Sequence, residues 1–203
     1  MYVKVCGISD PAVARFSVER GADAIGVVMS APSPRHATPE VAAAVVRAAH
    51  ETAPATDTVL VVREMNAREA ADTAVRLGFD VLQLHGAYSP EDFAAAISRI
   101  PRVWRATSLA REPDVRAGAF GEERLLLDGV AAGSGESWDL TAIDHQRIGA
   151  GWLLAGGLDP ESVATAVRSA RPWGVDVSSG VESQPGVKDL DRIVRFIAAA
   201  RSA

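Results

Sequence analysis

Apolar positions along the chain alternate between two regimes. Short runs dominated by Val, Leu, Ile and Ala recur at Tyr2–Cys6, Ala24–Met29, Thr58–Val62, Val81–Leu84, Val103–Ala106, Arg124–Asp128, Trp152–Ala155 and Gly174–Val177. Each is short, mostly apolar and bounded by turn-forming or polar residues, which is the pattern of strands buried on both faces. Between them lie longer stretches with the spacing of amphipathic helices. Five of these have readable starts: Asp10-Pro11, Thr38-Pro39-Glu40, Asn66 with Glu69 three residues on, Ser89-Pro90-Glu91-Asp92, and Asp159-Pro160-Glu161. Each offers a side-chain acceptor to the unpaired N–H groups of a first turn, and four of the five follow it with Pro, whose missing N–H costs nothing there.

The predicted strands end at residues 6, 29, 62, 84, 106, 128, 155 and 177, so successive steps are 23, 33, 22, 22, 22, 27 and 22 residues. That repeat is one βα unit. Strands joined by crossover helices are parallel, and eight such units close into a (β/α)8 TIM barrel, which leaves no exposed sheet edge. An open doubly wound sheet uses the same units, but the near-equal steps and the lack of G-x-G-x-x-G after the first strand weigh against it. The two longer steps hold Ser30–His36 and Gly129–Gly135. Extra length there falls on the face where strands end, which carries the active site in such barrels.

Composition narrows this further. A chain of 203 residues, 48% hydrophobic and 23% charged, is ordinary for a globular protein. Barrels of this kind usually take about 250 residues, with about 200 near the lower limit. One near-minimal barrel domain over residues 1–203 is therefore expected, without a second domain. A net charge of −5 with no Lys/Arg cluster argues against nucleic acid and anionic membrane as partners. No apolar run reaches membrane-spanning length and the N-terminus enters a strand without signal-peptide zones, so a cytoplasmic location is expected. The single cysteine, Cys6, is a free thiol.

The strand-end filter selects few residues with chemistry: Cys6, His85, Asp128, Gly156-Gly157 and Ser178-Ser179-Gly180. Cys6 at the rim, just before a helix start, stands where its pKa can be lowered toward that of a useful base. Asp128 closes the apolar run Leu125-Leu126-Leu127; a carboxyl among apolar neighbours has its pKa raised, as suits a general acid. In a ring of eight, the first and sixth strands lie nearly opposite, leaving room for a sugar-sized substrate between acid and base. Alternation makes Cys6 co-facial with Lys4, and Ser178 with Asp176. An inward Lys needs a partner, so a Lys4–Asp176 ion pair is predicted beneath the mouth. Glycine-containing turns after the seventh and eighth strands, with Gly156, Gly157, Ser179 and Gly180, match the place where this fold binds phosphate through backbone N–H groups.

Lys4-Val5-Cys6-Gly7, Gly21–Gly26, Ser33-Pro34-Arg35, Gln83-Leu84-His85-Gly86, Leu125–Asp128, Leu154–Leu158, and Asp176–Glu182 with Pro185–Asp189 together make the chain resemble the phosphoribosylanthranilate isomerase family of tryptophan biosynthesis. The resemblance runs from Lys4 to Asp189. It implies a cofactor-free, metal-free Amadori rearrangement of N-(5-phosphoribosyl)anthranilate to the 1-deoxyribulose 5-phosphate product. Asp128 would protonate the ring oxygen as general acid, and Cys6 would remove the C2′ proton as general base. Arg35 would hold the anthranilate carboxylate, and Gly156, Gly157, Ser179 and Gly180 the phosphate. Gln83, His85 and Asp176 would line the substrate pocket. A monomer is expected in preference to a homodimer. The pattern departs from the family's after the third strand, where Val59-Leu60-Val61-Val62-Arg63-Glu64 replaces a sequence close to Val-Gly-Val-Phe. The second strand ends Val27-Val28-Met29 rather than on an aromatic, and in the sixth loop Glu136 stands where a Lys is usual. The related histidine-pathway isomerase is the main alternative. It would carry Asp at the position of Cys6 and a second phosphate site in the N-terminal half, neither of which is found. A non-catalytic phosphate-binding barrel is the other, and an acid and a base retained at the mouth argue against it.

Overall fold

The computed structural model describes residues 1–129, 140 and 143–203. Eight strands, β1 (Tyr2–Cys6), β2 (Ala24–Val28), β3 (Asp57–Val62), β4 (Val81–His85), β5 (Val103–Ser108), β6 (Arg124–Asp128), β7 (Trp152–Leu154) and β8 (Gly174–Val177), close in sequence order into a barrel. Every neighbouring pair is parallel, including β1 with β8. Three strands, β1, β6 and β8, match the sequence expectation to the residue, and each of the others differs at one end by one or two positions. The ladder in fact continues past two of them, because Met29 N–H donates to Val61 O and Ala155 N–H to Leu127 O, both at 2.9 Å.

Alternation along the strands divides the apolar residues into two cores. Val59, Val61, Val81, Trp104, Leu126 and Leu153 fill the barrel interior. Val3, Val5, Ile25, Val27, Leu60 and Leu82 point outward and pack with the helices. Those helices are α1 (Pro11–Glu19), α2 (Pro39–Thr52), α3 (Ala67–Leu77), α4 (Pro90–Ile97), α5 (His145–Ile148), α6 (Val163–Ala170) and α7 (Leu190–Arg201). The starts of α1 to α4 are capped by Asp10, Thr38, Asn66 and Ser89 as the sequence indicates. Ser89 and Asp92 form a reciprocal capping box, which satisfies two orphan N–H groups at once. No helix among the described residues is long and apolar enough to cross a membrane.

Three features depart from the expected repeat. First, Asp159 does not directly precede regular helix: its carboxylate accepts from the N–H groups of Glu161 and Ser162, tying off a separate turn, and α6 starts at Val163. Second, the chain after β8 forms a short hairpin, β9 (Glu182–Gln184) with β10 (Val187–Lys188), before α7. Third, no helix joins β5 to β6.

Residues 109–123 instead make turns wrapped around Arg105, whose side chain is 3% exposed. Its guanidinium donates to Glu122 at 2.9 Å, to Glu112 at 2.5 Å and to Arg116 O at 2.6 Å, and it covers the Phe120 ring. Glu122, fully buried, also accepts from Gly118 and Phe120 N–H. A buried charge network thus supplies the order that a crossover helix would otherwise provide. Removing one partner of a buried pair costs about 3–5 kcal/mol. Because Glu122 keeps its two backbone donors, Arg105→Met is expected to lose about 3 kcal/mol, the lower end of that range. Urea unfolding checks this through a lowered midpoint at unchanged slope.

Candidate active site

At the strand C-termini lies a cavity of about 300 Å³. Cys6, Gln83, His85, Asp128 and Asp176 line it from the barrel, and Arg35 from the loop after β2. Gly156, Gly157 and Ser179 line it from the turns after β7 and β8. All but one of the residues expected at the site are therefore brought together. Gly180 is the exception, and packing explains its place. A Cβ there would come within 1.8 Å of Leu158 O, so its lack of a side chain lets the two turns dock on each other and set the shape of that wall.

Asp128 ends β6 with its side chain 14% exposed, accepting from Gly129 N–H at 2.9 Å. Burial, reinforced by the Asp176 carboxylate, pushes its pKa up to about 6, the direction expected from the sequence. His85 Nε2 lies 3.8 Å from its Oδ2. Burial, with help from the positive charge of Arg63, pushes the His85 imidazole down to about 4, so it is neutral near pH 7.

Cys6 corrects the sequence expectation. Its thiol is not lowered, because the residue is only 6% exposed and burial pushes it up. The Lys4 ammonium is the largest influence acting the other way. The predicted Lys4–Asp176 pair is present: Nζ donates to Oδ1 at 2.8 Å, the two residues sit in register across β1 and β8, and Lys4 is fully buried. Burial is the largest influence and opposes the Lys4 charge, but Asp176 and Cys6 together outweigh it and the ammonium is held above its ordinary value.

Arg35 has a partner that sequence reasoning missed. Its Nε and Nη2 donate to the two Glu182 oxygens at 2.7 and 2.8 Å, and Lys188 Nζ donates to the same carboxylate at 2.7 Å. Glu182 and Lys188 belong to the unanticipated β9–β10 hairpin, so the hairpin orients the loop that carries Arg35. Ser30, Arg63 and Glu64 also line the cavity, with Ser30 Oγ donating to Glu64 at 2.6 Å. The signal available for them was position alone: all three stand within two residues of a strand end. Gln83, 2% exposed, leaves Oε1 without a hydrogen-bond partner in the wall. Glu136 lies outside the described residues.

A family model described as N-(5′-phosphoribosyl)anthranilate (PRA) isomerase matches residues 3–199. The chain belongs to this family. An N-(5′-phosphoribosyl)anthranilate isomerase from Paramagnetospirillum magneticum is 39% identical over 216 residues, covering 98% of this chain and 96% of the relative. Among solved structures, TrpF from Jonesia denitrificans is 50% identical with a TM-score of 0.90, covering 100% of this chain and 97% of the other. A PRA isomerase in complex with reduced 1-(o-carboxyphenylamino)-1-deoxyribulose 5-phosphate is 34% identical with a TM-score of 0.85, each chain fully covered. Membership makes this chain an isomerase on the TIM-barrel scaffold of the PRA isomerases.

Proposed function

We propose that this chain catalyses the PRA isomerase step of tryptophan biosynthesis with Asp128 as general acid and Cys6 as general base. The observation that carries the reading is that the carboxyl held at about 6 and the only thiol of the chain open onto one cavity at the strand ends. Asp128 donates its proton to the furanose ring oxygen; the C1′–O bond breaks as the anilino nitrogen lone pair forms the C=N⁺ bond. Cys6, as thiolate, then takes the C2′ proton, and the C–H electrons move into C2′=C1′ while the iminium pair returns to nitrogen. Tautomerisation of the enolamine gives the ketose. The phosphate is held by backbone N–H groups at Gly156, Gly157 and Ser179, in the turns after β7 and β8. Arg35, tied to Glu182 through Nε and Nη2, offers its Nη1 donors to the anthranilate carboxylate. The relative bound to the reduced product analogue supports a substrate of this shape.

The test is turnover of N-(5-phosphoribosyl)anthranilate followed by loss of its fluorescence in a coupled assay. The expected result is saturable conversion without added metal or cofactor. No conversion, together with turnover of the doubly phosphorylated histidine-pathway substrate, would overturn the reading in favour of that isomerase.

A further inference from the structure

Barrel interiors are ordinarily filled by branched apolar side chains, yet this one keeps a buried ammonium–carboxylate pair directly beneath the catalytic mouth. Buried pairs of this kind seldom repay their desolvation against an apolar filling, so stability alone does not account for it. Its orientation does. Lys4 and Cys6 alternate on β1 and both face inward, with Ala24 and Gly26 as their β2 partners. A Cβ at position 26 would lie 2.7 Å from Cys6 Sγ and 3.1 Å from Lys4 Nζ, so thiol and ammonium share the space that Gly26 leaves open. Asp176 holds the other side of the ammonium and shares the cavity wall with Asp128.

We propose that Lys4 and Asp176 are positioning residues that bring the acid and the base toward a common protonation range, Lys4 favouring the Cys6 thiolate and Asp176 the protonated Asp128. This rests on the roles given to Cys6 and Asp128 above. The chemistry needs the thiolate and the carboxylic acid together, a combination disfavoured when the thiol titrates above the acid. Its population falls tenfold for each pH unit of separation, so a fixed dipole that lowers one group and raises the other increases the active fraction directly. The other charges facing the pair are accounted for. Cys6 also faces Lys188 and Arg35, both engaged by Glu182. Asp128 also faces Arg63 and the His85 ring.

The test exploits the single cysteine. The pH dependence of iodoacetamide alkylation of the whole protein reports the Cys6 thiol alone, and carbon-13 NMR, with Asp128→Asn to assign the signal, reports the Asp128 carboxyl. Neither needs substrate. With Lys4→Met both midpoints are expected to rise; with Asp176→Asn both are expected to fall, each by about one to three pH units, as for a charge removed at 4–6 Å. The double variant Lys4→Met with Asp176→Asn leaves no unpaired charge and serves where a single variant fails to fold. In it the thiol midpoint is expected to rise and the carboxyl midpoint to fall, because each group loses its nearer influence. Unmoved midpoints, or a double variant in which the two move together, would overturn the proposal and leave the pair a brace for the barrel. Absent PRA turnover with midpoints moving as described would instead remove the assigned reaction and leave the electrostatic coupling standing.

Discussion

Asp128→Asn is expected to lower kcat by about 10²- to 10⁴-fold, the usual worth of a general acid, while making the protein more stable above pH 6. The two effects share a cause. Asn keeps the size and the acceptor that meets Gly129 N–H, but it has no proton to give the leaving ring oxygen. The stability gain follows from the raised pKa. Below about pH 4 the carboxyl is protonated in both folded and unfolded chains and contributes nothing. Between about 4 and 6 the folded state holds the proton more tightly, so stability falls as pH rises. Above 6 the buried carboxylate costs up to about 3 kcal/mol, from two pH units at 1.36 kcal/mol each. Thermal melts at pH 8 and pH 4 check this: the variant should melt higher than wild type at pH 8 and close to it at pH 4. A variant that is both inactive and less stable at pH 8 would point to structural damage rather than loss of an acid.

How much of this was legible in the chain depends on where polar residues interrupt apolar runs. In β1 and β4, Lys4-Cys6 and Gln83-His85 alternate with apolar residues, so their period of two told which side chains share the interior face. Lys4 then implied Asp176, because ring closure makes β8 a neighbour of β1 and β8 carries that carboxylate on the inward face. The helix starts were readable because capping is local chemistry. What was not readable depends on contacts between distant segments. Arg105, Glu112 and Glu122 look like surface charges in sequence, and only the folded turns show that they replace a crossover helix. The hairpin presents Glu182 to Arg35 across a separation of 147 residues. The Cys6 thiol was misjudged for a related reason: the strand-end position was clear, but the depth of its burial was not.

Cys6→Ala carries the second large effect. The side chain is buried but small, and Cβ is retained, so a stability loss of about 1 kcal/mol is expected from the missing sulfur. The catalytic loss is expected to be about 10²- to 10⁴-fold in kcat, with KM nearly unchanged because the thiol acts on the C2′ proton rather than on the substrate's anionic groups. Single-turnover measurements separate base removal from a general failure of the site. Ring opening by Asp128 precedes proton removal, so Cys6→Ala should accumulate a ring-opened, Schiff-base species in its cavity, whereas Asp128→Asn should leave the furanose closed. Cys6→Asp offers the complementary arm. A carboxylate beside Lys4 stays ionised near pH 7 and supplies a base in nearly the same place, so part of the activity lost in Cys6→Ala should return. Its limit is steric: thiol and Lys4 ammonium share the space that Gly26 leaves open, and a carboxylate is larger than the sulfur it replaces. Partial recovery would therefore assign the function of position 6 to proton abstraction. Full activity in Cys6→Ala would remove the cysteine from the mechanism and leave proton abstraction to another group in the cavity.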